Sequence, residues 1–221
     1  MSRKFVVIGL GDFGLSVAST LTNLGQDVLG IDKEEKIIQA AIDEGKIENG
    51  IVLDATQKLA LERAGIDSSF DVGVVGVGSD PNTSILITMF LKEFGIKKVI
   101  AKATTAVQVK VLLKIGADRV ILPEVEMGSR LARELVQPNI FHDIILSPNY
   151  SIMEFKATKP FLGKSIKEIG FRPKYQANII GIKGSGGKVI INPSADYVIE
   201  ENDILIMIIH NERKRELEKL T

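Results

Sequence analysis

Between residues 4 and 122, short and mostly apolar runs alternate with amphipathic stretches, and few architectures accept that alternation. The runs occupy residues 5–8, 28–31, 50–53, 72–77, 98–101 and 119–122, and most are rich in Val and Ile. Runs of that length and composition fit parallel strands buried on both faces. Residues 13–24, 34–44, 57–64, 82–94 and 105–115 have helical periodicity instead. Leu86, Met89, Phe90 and Phe94, for example, recur at the spacing of one buried helix face. Gly116, like Gly25, Gly65 and Gly95, stands just past such a stretch, where a left-handed cap is favoured. Six strands alternating with helices predict an α/β, doubly wound parallel sheet with helices on both sides.

The rhythm then breaks. Residues 127–136 predict a sixth helix, and Pro138, Asn139 and the run Ser147-Pro148-Asn149-Tyr150 mark a linker over 138–150. Beyond it come shorter strands at 152–157, 178–183, 188–191 and 203–210. Gly184-Ser185-Gly186-Gly187 forms a hairpin connection, and a charged helix closes the chain over 211–220. The expected organisation is a first domain over 1–137 and a small α+β second domain over 151–221. A domain of that size is marginal alone and calls for pairing with a partner copy.

Gly9-Leu10-Gly11-Asp12-Phe13-Gly14 is the strongest motif. GxGxxG is a weak signal among 20 glycines, but here it follows a strand and opens a helix. In that setting Gly9 permits the tight turn, Gly11 lets backbone approach a pyrophosphate, and Gly14 lets helix and strand pack closely. The amides and dipole at the helix start would hold the anion. An acid ending the second strand should then bind the ribose hydroxyls. Asp32, followed by Lys33, stands 18 residues after Gly14. Its charge also disfavours a 2′-phosphorylated ribose. Together these features predict a Rossmann-type nucleotide site; the plainer reading is a Gly-rich turn with Asp32 capping the next helix.

Other candidates stand at carboxyl ends of the strands, where ligands bind in such sheets. Asp54-Ala55-Thr56 follows the third strand, and either Asp54 or Thr56 could cap the next helix or meet ligand. Gly76-Val77-Gly78-Ser79 follows the fourth and would allow close approach. Lys102 follows the fifth, as a phosphate contact or a surface lysine. Glu124 and Glu126 follow the sixth, as ligands for magnesium or calcium beside a phosphate or as solvated charge.

Twenty-eight basic residues balance 28 acidic ones, so the excess expected of a nucleic-acid partner is missing. The longest aliphatic run, 204–209, is far shorter than the roughly 20 residues of a helical span. Four apolar residues before Gly9 are too few for a signal-peptide core. Absence of cysteine fits a reducing cytosol. The expected location is cytoplasmic. Tyr150, Tyr175 and Tyr197 lack the lysine four residues on that a short-chain dehydrogenase needs. His142 and His210 have no metal partner at useful spacing. A cofactor pocket without an acid–base pair predicts a sensor, with an NAD-dependent oxidoreductase as the alternative and a redox-sensing repressor as a third reading.

The run from Val7 to Gly14, Asp54-Ala55-Thr56, Leu91-Lys92-Glu93, residues 111–118, Pro123-Glu124, Arg172-Pro173-Lys174-Tyr175 and the 203–209 strand together resemble the TrkA/KtrA family. These are potassium-transport regulators built on RCK domains (regulators of potassium conductance), and the resemblance covers nearly the whole chain. It implies a cytoplasmic homodimer in which the sixth helix crosses to its neighbour. Dimers would assemble as an octameric ring beneath a membrane potassium-channel subunit of Trk or Ktr type. The implied ligand is an adenine nucleotide: ATP, ADP or AMP, or NAD(H). The site residues carried over are Gly9, Gly11, Asp12, Phe13, Gly14, Asp32, Lys33, Asp54, Ala55, Thr56, Gly76, Val77, Gly78, Lys102 and Glu124. A second ligand, cyclic di-AMP, is implied between paired carboxyl-terminal subdomains, with Ile166, Phe171, Arg172 and Pro193 in comparable places. Asp12 departs from the pattern, since ATP-responsive members commonly have arginine there. Its negative charge implies either a bridging cation or a ligand with fewer terminal charges.

Overall fold

The computed structural model describes residues 2–78, 80–136 and 139–219, without the side chains of Phe141 and Glu218. Ser79, Pro138 and Leu220, which the expectations above include, lie outside the described residues. The chain forms two compact units, Met1–Met127 and Gly128–Thr221.

In the first unit the Val/Ile runs become β1 (Lys4–Ile8), β2 (Asp27–Asp32), β3 (Asn49–Val52), β4 (Val72–Val75), β5 (Lys98–Lys102) and β6 (Arg119–Ile121). They pair in parallel in the order β3-β2-β1-β4-β5-β6. The connecting helices are α1 (Asp12–Asn23), α2 (Glu35–Asp43), α3 (Lys58–Arg63), α4 (Pro81–Glu93) and α5 (Ala106–Ile115). Successive strand residues face opposite sides, so the sheet feeds two cores. Val7, Val28 and Val74 pack with Ala18 of α1 and with Ile38 and Ala41 of α2. Val6, Ile8 and Val75 pack with Leu61, Ile87, Phe90, Leu91 and Leu112 of α3, α4 and α5. β1 and β4 are neighbours in space, so the direction in which successive strands are laid across the sheet reverses between them and leaves a crevice at their carboxyl ends.

The sixth helix, α6 (Pro123–Val136), begins four residues earlier than its periodicity suggests, because Pro123 suits a first helical position. Glu124 and Glu126 therefore lie in its first turn. None of its residues is buried. Met127, Leu131 and Leu135, one turn apart, are 60%, 53% and 75% exposed.

The second unit is an antiparallel sheet in the order β10-β9-β11-β8-β7. Its strands are β7 (Ile140–Ile145), β8 (Tyr150–Lys156), β9 (Ala177–Lys183), β10 (Val189–Ile191) and β11 (Ile204–His210). β7 corrects the linker expected over 138–150. Its His142-Asp143 pair interrupts the apolar pattern, yet Asp143 and Ile144 sit opposite Met153 and Ile152 of β8. The amide of Gly184 donates to the carbonyl of Lys188 at 2.9 Å, closing the expected β9–β10 hairpin. Two short helices, α7 (Ile166–Ile169) and α8 (Phe171–Tyr175), were not apparent from periodicity, for which four or five residues are too few. A capping box marks α7: Glu168 accepts from the Ser165 amide at 2.7 Å, and the Ser165 hydroxyl accepts from the Glu168 amide at 3.2 Å. The closing segment is a 3-10 turn, Asn211–Arg213, followed by α9 (Lys214–Glu218), rather than one helix. Met153, Phe155, Leu205, Met207 and Ile209 form the sheet side of the core, under Phe161, Ile169, Phe171 and Leu217.

Candidate functional site

The turn after β1 is held by packing that only glycine allows. Gly9 has φ +86°, and its amide donates to the Ile31 carbonyl at 2.8 Å. A Cβ on Gly14 would lie 1.8 Å from the Gly9 oxygen, and one on Gly76 2.6 Å from it. Gly14 and Gly76 therefore draw α1 and the end of β4 against the turn. A Cβ on Gly11 meets nothing within 4 Å, because it projects into open space. Gly11 is also the residue before α1, and no side chain caps that helix. The first amides of α1 are thus offered to an anion.

That space is a cleft of about 1020 Å3. Its lining includes Gly9, Gly11, Asp12, Phe13, Asp32, Lys33, Asp54, Ala55, Thr56, Gly76, Val77, Gly78, Lys102 and Glu124, so the strand ends bring the expected residues together. Gly14 is absent from the lining; it is buried behind the turn.

Asp32 has a structural duty besides any ligand role. Its carboxylate accepts from the Leu10 amide at 2.7 Å and from the Glu34 amide at 3.0 Å, tying the glycine turn to the end of β2. Asp54 and Thr56 do not cap α3, which corrects that expectation; the residue preceding α3 is Gln57, without a side-chain cap. Asp54 instead accepts from the Thr56 hydroxyl at 2.7 Å and its amide at 3.0 Å, closing a local turn. The Thr56 hydroxyl, then its amide, hold the Asp54 carboxyl below the usual range, and Lys33 assists.

Lys102 and Glu124 form an ion pair at 2.7 Å, with side-chain exposures of 15% and 65%. Lys102 also lies 5.9 Å from the centre of the Phe13 ring. The Lys102 ammonium keeps the Glu124 carboxyl below its ordinary range. Among the described residues, no three His, Asp or Glu side chains gather where they could hold a metal ion. Glu124 is held by a cation of the chain itself, and Glu126 is not in the lining.

Sequence reasoning missed Asp80 and Thr83. Asp80 caps α4, accepting from the amides of Asn82 and Thr83 at 3.1 Å and from the Thr83 hydroxyl at 2.7 Å, and both line the cleft. Asp followed by Pro at a helix start was the available signal. The cleft's described charges are Asp12, Asp32, Glu34, Asp54, Asp80 and Glu124 against Lys33 and Lys102, an acidic balance.

In the second unit, Phe171 is buried and packs on Phe161 and Tyr175 with ring centres 5.1 and 6.0 Å away. Arg172 is exposed, and its guanidinium donates to Asn178 Oδ1 at 2.8 and 3.0 Å. Ile166 and Pro193 are half-buried.

A family model described as the TrkA-N domain matches residues 5–123, and one described as the TrkA-C domain matches residues 151–221. The chain belongs to the TrkA/KtrA family of potassium-transport regulatory subunits. Ktr system potassium uptake protein C of Bacillus subtilis is 37% identical over 210 residues, spanning 94% of this chain and 92% of that protein. Ktr system potassium uptake protein A of Vibrio alginolyticus is 32% identical over 207 residues, spanning 93% and 92%. The solved GsuK RCK domain has the same fold, with a TM-score of 0.66 at 16% identity. This TrkA/KtrA-family chain is covered completely in that match and spans about half (48%) of the solved chain.

Proposed function

We propose that this TrkA/KtrA-family chain binds an adenine nucleotide in the cleft of its first unit and passes the occupancy of that cleft to a membrane potassium-channel subunit of Trk or Ktr type. The observation that carries the reading is convergence. The uncapped start of α1 at Gly11, the Asp32 carboxylate and the Lys102 ammonium line one cleft. The helix start and the ammonium suit phosphate, and the carboxylate suits ribose hydroxyls. The relatives' designation as potassium uptake proteins supports a regulatory role over a catalytic one. A nucleotide acts on a channel only by binding one conformation of the regulator better than another.

The acidic balance of the cleft supports AMP, ADP or NAD(H) over free ATP. Magnesium or calcium belongs to this reading only as a companion of the ligand's phosphates. The exposed stripe Met127, Leu131 and Leu135 on α6 supports a homodimer, the unit of the octameric ring implied by the family. A cytoplasmic location accords with the absence, among the described residues, of any helix long and apolar enough to cross a membrane. Net charge of zero supports no nucleic-acid partner. Cyclic di-AMP at the second unit would be met by Ile166, Arg172 and Pro193, with Phe171 supporting them from the core.

Calorimetry of the full chain with AMP, ADP, ATP and NAD tests the cleft. Gly11→Val should abolish binding, and Asp32→Ala should cost about 1–3 kcal/mol, with far-UV circular dichroism confirming a retained fold. Undiminished affinity in both variants would end the proposal. Light scattering should report a dimer or a multiple of it, and a strict monomer at micromolar concentration contradicts the assembly.

A further inference from the structure

Lys102 sits at the carboxyl end of β5 with its side chain largely covered, beside the Phe13 ring and close under Gly78. A Cβ on Gly78 would come within 3.3 Å of the Lys102 ammonium, so glycine there leaves the tip of the lysine its room. An ammonium this enclosed needs an anion, and Glu124 supplies it at 2.7 Å. The two partners are unequally committed. Lys102 is packed in place, whereas the Glu124 side chain is 65% exposed and free to turn into solvent. Glu124 also stands in the first turn of α6, where the helix dipole favours a carboxylate whether or not it is paired with the lysine.

We propose that Glu124 is a displaceable internal anion: it occupies Lys102 until a ligand phosphate takes its place. The inference rests on the nucleotide reading of the cleft and adds a competitor built into the chain. A phosphate brings more charge than a carboxylate and also meets the α1 amides beyond Gly11, so it wins the lysine while releasing Glu124. The exchange occurs at the first turn of the helix that leads out of the nucleotide-binding unit. Phosphate binding is thereby weakened by Glu124, while binding of the uncharged nucleoside is indifferent to it.

The test is titration of ADP and adenosine, in chelator at low salt, into wild type, Glu124→Gln, Lys102→Met and the double variant. Glu124→Gln should tighten ADP about three- to fivefold, the scale of one partly exposed ion pair, and leave adenosine unchanged. Lys102→Met should weaken ADP, and in that background the gain from Glu124→Gln should shrink to the smaller effect of removing one acidic charge from the cleft. Weaker or unchanged ADP binding by Glu124→Gln overturns the exchange, as does an equal gain for adenosine or a gain of undiminished size without Lys102. In those cases the cleft still binds nucleotide and only the competitor is lost. Failure of wild type to bind either compound overturns both the exchange and the nucleotide reading.

Discussion

Gly14→Ala and Gly11→Ala lie three residues apart in one motif, and the structure separates them completely. The Cβ of alanine at position 14 would stand 1.8 Å from the Gly9 carbonyl oxygen, little more than half the 3.4 Å at which ordinary contact begins. No rotamer relieves this clash, because its partner is backbone. Moving that backbone strains the Gly9–Ile31 and Gly76–Ile8 hydrogen bonds, at 2.8 and 2.7 Å. Overpacking that side chains can absorb costs about 1–3 kcal/mol, so Gly14→Ala should reach about 3 kcal/mol or more. For a chain of this size that corresponds to a fall of about 6–12 °C in the melting temperature of the first unit. At position 11 nothing lies within 4 Å, and φ of −64° suits alanine. Stability there should stay within about 0.5 kcal/mol, while the methyl intrudes where phosphate would lie and nucleotide affinity falls. Urea and thermal unfolding by circular dichroism at matched protein concentration, with calorimetry on the same samples, measure both effects. A Gly14→Ala protein within about 0.5 kcal/mol of wild type would refute the packing argument.

Asp12 begins α1 and lines the cleft, so Asp12→Arg should raise metal-free ATP affinity several-fold and alter AMP little. Titration in chelator checks this, and an unchanged ADP-to-ATP preference would mean the side chain points away from phosphate. Asp118 accepts from the Val99 amide at 2.7 Å and from Lys92 at 3.0 Å. Burial alone would raise its carboxyl, but these two partners outweigh burial and hold it below the usual range. A lowered folded value means stabilisation that is present above the ordinary carboxylate range and lost as the pH falls through the folded one. Asp118→Asn should therefore cost about 1 kcal/mol at pH 7, after allowance for the group's exposure. In urea midpoints measured against pH, that gap should narrow as the pH falls below the ordinary carboxylate range.

The β/α rhythm of the first unit was legible because both of its periods are local. A strand buried on both faces must be apolar at successive positions, as at 5–8, and a helix packed on one face must repeat every three or four, as at 86–94. The glycine turn and Asp32 were legible for the same reason: a tight turn before a helix leaves few residue choices. Sequence by itself thus determined the doubly wound sheet, the glycine turn after β1 and the acid beyond it. Tertiary structure alone decided which distant groups meet. Placing β5 beside the start of α6 made Lys102 and Glu124 one ion pair, although each could equally have been solvated charge. Asp80 joined the cleft because β4 lies next to β1. Strand β7, whose interior carries His142-Asp143, exists by pairing with β8 across the sheet edge. These outcomes depend on pairing and burial between residues far apart in the chain, and no local pattern encodes a partner that only the folded sheet brings near.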